Sequence, residues 1–207
     1  MKIGYAITVC NEFVEIQKLI PFLLANKRDV DQVVVLYDEA HGDVGVEEYL
    51  RATSISNPTH FQWYSKPFSN NFAEWKNLLT SLCDGDYIIN IDADEMPCED
   101  FIKNISEVLE NNPEVSMFMV PRRNIVNGIT PQHVAKWGWR VDNQNRINWP
   151  DYQMRVYKND KHIKWVNPVH EVLTGFNTYA PLPDEMYFDH IKDIKKQEKQ
   201  NNLYSTI

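Results

Sequence analysis

Short β-branched apolar runs alternate with helix-spaced apolar stretches through the first 125 residues, and that alternation leaves few folds open. The runs are "IGYAITV" from Ile3 to Val9, then "QVVVLYD", "HFQWYS", "DYIINID" and "VSMFMVPRR". Between them, apolar residues recur every three to four positions: Phe13, Ile16, Leu19/Ile20, Leu23/Leu24; then Phe72, Trp75, Leu78/Leu79, Leu82; then Phe101/Ile102, Ile105, Val108/Leu109. That spacing predicts helices, with a shorter one over residues 45–52. Strands alternating with helices cover both faces of a mostly parallel, doubly wound α/β sheet. Ligands of such sheets sit at the carboxyl ends of the strands.

After residue 126 the pattern changes. The segment "NGITPQHVAKWGWRVDNQNRINWPDY" has little periodicity and is expected to be a long functional loop or lid. Two short strands, "QMRVYKN" and "HIKWV", follow, with a last helix expected to begin near Ile191. The length of 207 residues suits one domain made of two halves, 1–125 and 126–207. No apolar run nears the roughly 20 residues that cross a bilayer, and "MKIGYAITVC" reads as a first strand rather than a signal peptide. Cys10, Cys83 and Cys98 are odd in number and lack metal-type spacing, so a reduced, cytoplasmic setting is expected. A net charge of −8 gives no support to general duplex-DNA binding. Lys192, Lys195, Lys196 and Lys199 read as the solvated face of the last helix.

Polar residues collect where the strands end. Strand one runs into Cys10-Asn11-Glu12, strand two into Asp38-Glu39, and strand four into Asp92-Ala93-Asp94-Glu95. One acidic end is ordinarily a helix cap or a turn. Three on one sheet edge form a negative rim suited to a divalent cation or to sugar hydroxyls. In extended chain Asp92 and Asp94 point to the same side, so both carboxylates can converge on one ion. Magnesium and manganese favour such oxygen ligands shared with a diphosphate.

These motifs, in this order, resemble the GT-A nucleotide-sugar glycosyltransferases, of the family 2 type, over the whole chain. The resemblance rests on "AITVCNE", Asp38, "NFAEWKNLL" and "DYIINIDADE", and on "NWPDYQMRVYKN" followed by "IKWVNPVHEVLTG" in the second half. It implies a GT-A domain, with residues 1–125 holding the nucleotide sugar and 126–207 the acceptor. Val9, Asn11 and Glu12 would border base and ribose, and Asp38 would contact the base. Lys76-Asn77 stands where relatives have Arg-Asn near the diphosphate; lysine keeps the charge but loses the two-pronged donor. Asp92, with Ala93, would face the ribose or the metal's water shell, and Asp94 would bind Mn2+ or Mg2+. Strand two departs from the pattern: "YDEAHGD" replaces the usual Asp-Asp-Gly-Ser, which alters the base-binding loop. Inversion of the transferred sugar's configuration is implied, and a UDP-linked donor is expected.

The second half must supply a base and any further metal ligand. His170, followed by Glu171, resembles the downstream histidine that completes GT-A metal sites; His190 is its rival. A base must reach the acceptor hydroxyl. Asp151, expected in a turn stiffened by Pro150, is the first candidate, with Glu171 second and Asp142 third. Arg155 is expected to position that base or to meet the diphosphate. Trp137, Trp139, Trp149 and Trp165 cluster here and offer faces for packing or for sugar C–H groups. Two other readings compete. A sugar nucleotidyltransferase would carry a glycine-rich basic loop after strand one, where this chain has the acidic "CNEFVE". A non-catalytic carbohydrate- or nucleotide-binding module would have no need of Asp92, Asp94, Asp151 and His170 together. The acceptor, whether glycan, protein side chain or modified nucleobase, is left open.

Overall fold

The computed structural model describes the backbone of residues 1–204 and side chains through residue 199. Eleven strands run in chain order: β1 (Ile3–Val9), β2 (Gln32–Asp38), β3 (Phe61–Lys66), β4 (Tyr87–Asp92), β5 (Met96–Pro97), β6 (Met117–Asn127), β7 (Ile147–Lys158), β8 (Lys164–Val166), β9 (Val172–Thr174), β10 (Tyr179–Pro181) and β11 (Phe188–Asp193). Six helices accompany them: α1 (Phe13–Asn26), α2 (Val44–Ser56), α3 (Phe72–Ser81), α4 (Glu99–Asn111), α5 (Pro131–Trp137) and α6 (Ile194–Tyr204).

The main sheet has the order β3-β2-β1-β4-β7-β6-β11-β5, with β10 also beside β6. β3, β2, β1 and β4 are parallel, and β7 is wedged antiparallel between β4 and β6. β11 runs parallel to β6. Side-chain alternation explains how the sheet is covered. Ile3, Tyr5, Ile7 and Val9 of β1 join Ile16, Leu23, Leu50 and Ile105 on the face under α1, α2 and α4. Ala6, Val34, Leu36 and Ile88 point the other way, against Ala73, Trp75 and Leu79 of α3 and Trp165 and Leu173 of the β8–β9 hairpin. Helix starts follow from local chemistry: Asp43 accepts from Gly45 N ahead of α2, and Asn71 from Glu74 N ahead of α3.

Two expectations fail in the second half. Residues 127–152 are no continuous loop: they hold α5 and the start of β7, which forms a long hairpin with β6. Asn and Pro at 148 and 150 hid that strand, because both are poor strand formers in isolation. The stretch near Ile191 is also strand, not helix; α6 begins at Ile194. "FDHIKD" carries four charged or titratable residues in six, and only pairing with β6 makes it extended.

Candidate active site

The parallel register of β1, β2 and β4 brings their carboxyl ends to one edge, with Thr8 opposite Asp92 and Val9 opposite Tyr37. A cavity of about 920 Å³ opens there. It runs from residues 8–12 and Asp38 past Asp92, Ala93 and Asp94 to Asp151 on β7 and His190 on β11. Val9 and Asn11 line it as expected from their place on β1's end. Glu12 folds back, its Oε2 accepting from Cys10 N at 2.9 Å and Asn11 N at 3.1 Å. Asp38 holds its own loop together. Its Oδ1 accepts from Ala40 N and Phe68 N, and His41 Nδ1 lies 2.9 Å from Oδ2. Burial pushes that carboxyl up, but the bonds from Phe68, His41 and Ala40 win and hold it below the usual carboxylate range.

Asp92 and Asp94 do not converge. The chain turns directly after Asp92, with Glu95 N donating to Asp92 O at 2.8 Å, so the extended-chain rule stops applying. Asp92 meets Lys76 Nζ at 3.3 Å and Arg155 Nη2 at 2.6 Å. Arg155 also bonds Glu95, and Arg122 links Glu95 to Asp151 at 3.3 and 2.7 Å. A ladder of alternating charge, Lys76–Asp92–Arg155–Glu95–Arg122–Asp151, therefore lies under the cavity. Burial disfavours charge on Asp92 and on Arg155. The Arg155 and Lys76 charges nevertheless hold the Asp92 carboxyl far below its usual range, and Asp92 and Glu95 push Arg155 up. Glu95 is 1% exposed, and the start of α4 is capped by Cys98, whose Sγ accepts from Phe101 N.

Asp94 faces β11 instead. His190 Nε2 lies 3.6 Å, Lys192 Nζ 3.2 Å and Lys196 Nζ 3.8 Å from its Oδ2. Burial would raise the Asp94 carboxyl; the His190 hydrogen bond and the Lys192 charge outweigh it and hold the group well below the usual range. A second chain of contacts fixes the imidazole. Asn124 Nδ2 donates to Asp151 Oδ2 at 2.8 Å, so its Oδ1 is left to accept from His190 Nδ1 at 2.7 Å. Register explains the juxtaposition: on β6, Arg122 stands opposite Asp151 and Asn124 opposite His190. With Nδ1 turned to Asn124 Oδ1, Nε2 is the ring nitrogen that faces Asp94, and the two side chains together could hold a cation. Two metal–ligand bonds of about 2.1 Å span a gap of this size. No group of three or more His, Cys, Asp or Glu side chains that could hold a metal occurs among the described residues. The pair thus suits an ion whose other positions come from a diphosphate and water.

The remaining expected residues fall as follows. Asp151 sits within β7, not in a turn, and accepts from Arg122, Asn124 and Gln153. Burial raises its carboxyl, but the Arg122 charge and these bonds prevail, so it is ionised at neutral pH. Glu171 is tied to Lys76 Nζ at 2.7 Å. Lys76 is 3% exposed and lies over the Trp165 ring, so the charge expected at the diphosphate is held by Asp92, Glu171 and an aromatic face. Asn77 is committed to β8: its amide donates to Trp165 O and accepts from Trp165 N. His170, at φ 55°, lines the cavity beside Glu171, whereas His190 is the histidine set against Asp94. Asp142 closes its own turn with Arg146. Trp139 and Trp165 line the cavity, while Trp137 stacks on His133. Sequence reasoning passed over Arg122 and Asn124, and it read Lys192 as part of a solvated helix face, whereas Lys192 is buried on β11; the signal was the i, i+2 spacing of Arg122/Asn124 and His190/Lys192.

Residues 6–165 match Glycosyl transferase family 2. The chain belongs to that family. Among solved structures, it is similar to S. aureus TarS 1–349 in complex with UDP, with a TM-score of 0.65 and 13% identity over 92% of this chain and 60% of that one. The TarS complex with UDP-GlcNAc gives 0.66 and 14% over 93% and 59%. A mannosyltransferase from Pyrobaculum calidifontis, in complex with GDP-Man and Mn2+, gives 0.50 and 19% over 58% and 35%. This chain thus spans about three fifths of the TarS lengths it matches. The mixed, mostly parallel sheet is the GT-A fold of those family 2 relatives. No helix among the described residues is long and apolar enough to cross a membrane.

Proposed function

We propose that this protein transfers a sugar from a nucleoside diphosphate sugar to an acceptor hydroxyl. The observation that carries the reading is a single cavity that joins the β1/β2 edge to Asp94–His190 and, through Asn124, to the ionised Asp151. Residues 8–12 and Asp38 form the wall for the nucleotide. The donor is UDP-linked, a reading supported by the UDP and UDP-GlcNAc complexes of TarS; the GDP-Man complex of the mannosyltransferase makes GDP the alternative.

Asp94 and His190 would hold Mn2+ or Mg2+. Such an ion, when bound, neutralises charge on the diphosphate as a Lewis acid. Asp151 accepts the proton of the acceptor hydroxyl, whose oxygen bonds to the anomeric carbon as the bond from that carbon to the diphosphate oxygen breaks. Such a single displacement inverts the anomeric centre. Arg122, Asn124 and Gln153 hold Asp151 in one rotamer, and Trp139, on the cavity lining, offers an aromatic face to a sugar ring.

The test is slow nucleoside diphosphate release from a panel of UDP- and GDP-sugars with Mn2+, with water as the acceptor. Release from at least one donor, reduced about 100-fold or more in Asp94→Asn, is the expected result. No release with any donor, together with no change in thermal stability on adding nucleotide and metal, would overturn the enzyme reading in favour of a module that lacks turnover.

A further inference from the structure

One carboxylate, Asp94, faces two ammonium groups and an imidazole nitrogen, all from β11 and the first turn of α6. His190 and Lys192 are two apart on β11, so both side chains project to the same side. Lys192 is 6% exposed, yet it lines the cavity. Placing a lysine head group inside is expensive unless charge meets it there. Lys196 adds a third contact and also reaches Glu15 of α1 at 3.0 Å, so it is drawn to the same corner from the other side.

We infer that Lys192, assisted by Lys196, is the cation that binds the donor's diphosphate. The inference rests on the nucleotide-sugar reading above. The charge count favours it. A nucleoside diphosphate sugar carries two negative charges on its diphosphate, and the departing nucleoside diphosphate carries a third once the anomeric bond has broken. With Asp94 itself that makes four, of which a divalent ion held by Asp94 and His190 would balance two, leaving two for Lys192 and Lys196. An ion held there would also compete for the Asp94 oxygen that Lys192 contacts at 3.2 Å, and a diphosphate in the cavity would offer the ammonium a new partner. The charge added on departure would then be met by Lys192, a buried cation already fixed in place.

Lys76 is the other buried lysine of the cavity, and it is poorly placed for this task. Its ammonium lies between Asp92 and Glu171, with the Trp165 ring 4.8 Å away. Its charge is answered within the protein on three sides. The diphosphate cation therefore comes from the end of the sheet that sequence reading assigned to a solvated helix.

The experiment is calorimetric titration, in Mn2+, of whichever of UDP and GDP the wild-type protein binds, alongside the matching nucleoside. Lys192→Met is expected to weaken the nucleoside diphosphate by about 10- to 100-fold, the loss of one charge-assisted contact, and to leave the nucleoside unchanged. Lys192→Arg keeps the charge and should restore most of the affinity. Lys196→Ala, at a side chain 42% exposed and safe for folding, should give a smaller loss confined to the diphosphate. Should Lys192→Met not fold, the Arg and Lys196→Ala variants decide the matter: diphosphate affinity unchanged in Lys196→Ala and lost in Lys192→Arg would overturn the inference. Equal loss of nucleoside and diphosphate in folded Lys192→Met would do so too, marking the lysine as a structural pin on Asp94. Unaltered diphosphate affinity in that variant would also overturn it while leaving the donor reading intact. A wild-type protein that binds neither nucleotide removes the donor reading and this inference together.

Discussion

Asp92 and Asp94 stand two residues apart and serve different partners. Asp92 is locked between Lys76 and Arg155, whereas Asp94 looks across to β11. The turn over residues 92–95 separates the two duties, because it ends the extended geometry that would have aligned them. Glu95 is the least visible member of the stretch and the most buried. It holds two arginines, one leading to Asp92 and one to Asp151. Removing one partner of a buried ion pair is strongly destabilising, because the other charge remains inside without compensation. Glu95→Ala should therefore lower the unfolding free energy by about 3 kcal/mol, the low end of the range for such pairs since Arg155 keeps Asp92. Urea unfolding checks it: the midpoint should fall with an unchanged slope. A loss under about 1 kcal/mol, the value of an exposed pair, would mean that the ladder is not a unit.

At the scale of elements, β6 does the most to build the site. Its register sets Arg122 against Asp151 and Asn124 against His190, and so connects the β7 and β11 sides of the cavity. The β8–β9 hairpin closes the opposite wall, with Trp165 and Val172 on the lining. Gly175 follows that hairpin at φ +83°, and a Cβ there would lie 1.8 Å from His162 O. Gly138, at φ +64°, ends α5 with nothing within 4 Å of its missing Cβ. The two glycines share a left-handed backbone but not a steric constraint. Gly138→Ala should cost about 1 kcal/mol, from backbone conformation alone. Gly175→Ala should cost about 3 kcal/mol or more, because backbone must shift to admit the methyl group. Melting of the two variants side by side tests this, and equal losses would contradict it.

Over the whole molecule, the cavity spans both halves of the chain, and the ion proposed above would draw only Asp94 and His190 from the described residues. Metal and nucleotide should therefore stabilise the fold together far more than either alone. With Mn2+ present and UDP at about 100 times its dissociation constant, stability should rise by about 2.7 kcal/mol. For a chain of this size that is roughly 5–10 °C in Tm. A full shift from Mn2+ alone would show an ion site complete within the protein. The same architecture ties α6 to α1 through Lys196–Glu15 and to α5 through His133–Glu198.

Much of the first 125 residues was legible because its signals are local. Runs such as "QVVVLYD" need only period and β-branching to be read, and the helix over Glu99–Asn111 follows from the spacing of Phe101, Ile102, Ile105 and Leu109. The family resemblance drew on the same stretches, and the match over residues 6–165 places the chain in that family. The second half was legible in residue types but not in arrangement. "FDHIKD" is too polar to announce a strand, and "NWPDY" carries the wrong residues for one; each is extended only because β6 lies alongside. Sequence by itself determined the alternating α/β layers and the acidic ends of β1, β2 and β4, since both depend on neighbours along the chain. Only the tertiary structure decided that Asp94 meets His190 and Lys192, that Lys76 is neutralised and that Glu95 joins two arginines. Those contacts link residues 16 to 98 positions apart, and strand register, which no local pattern encodes, brings them together.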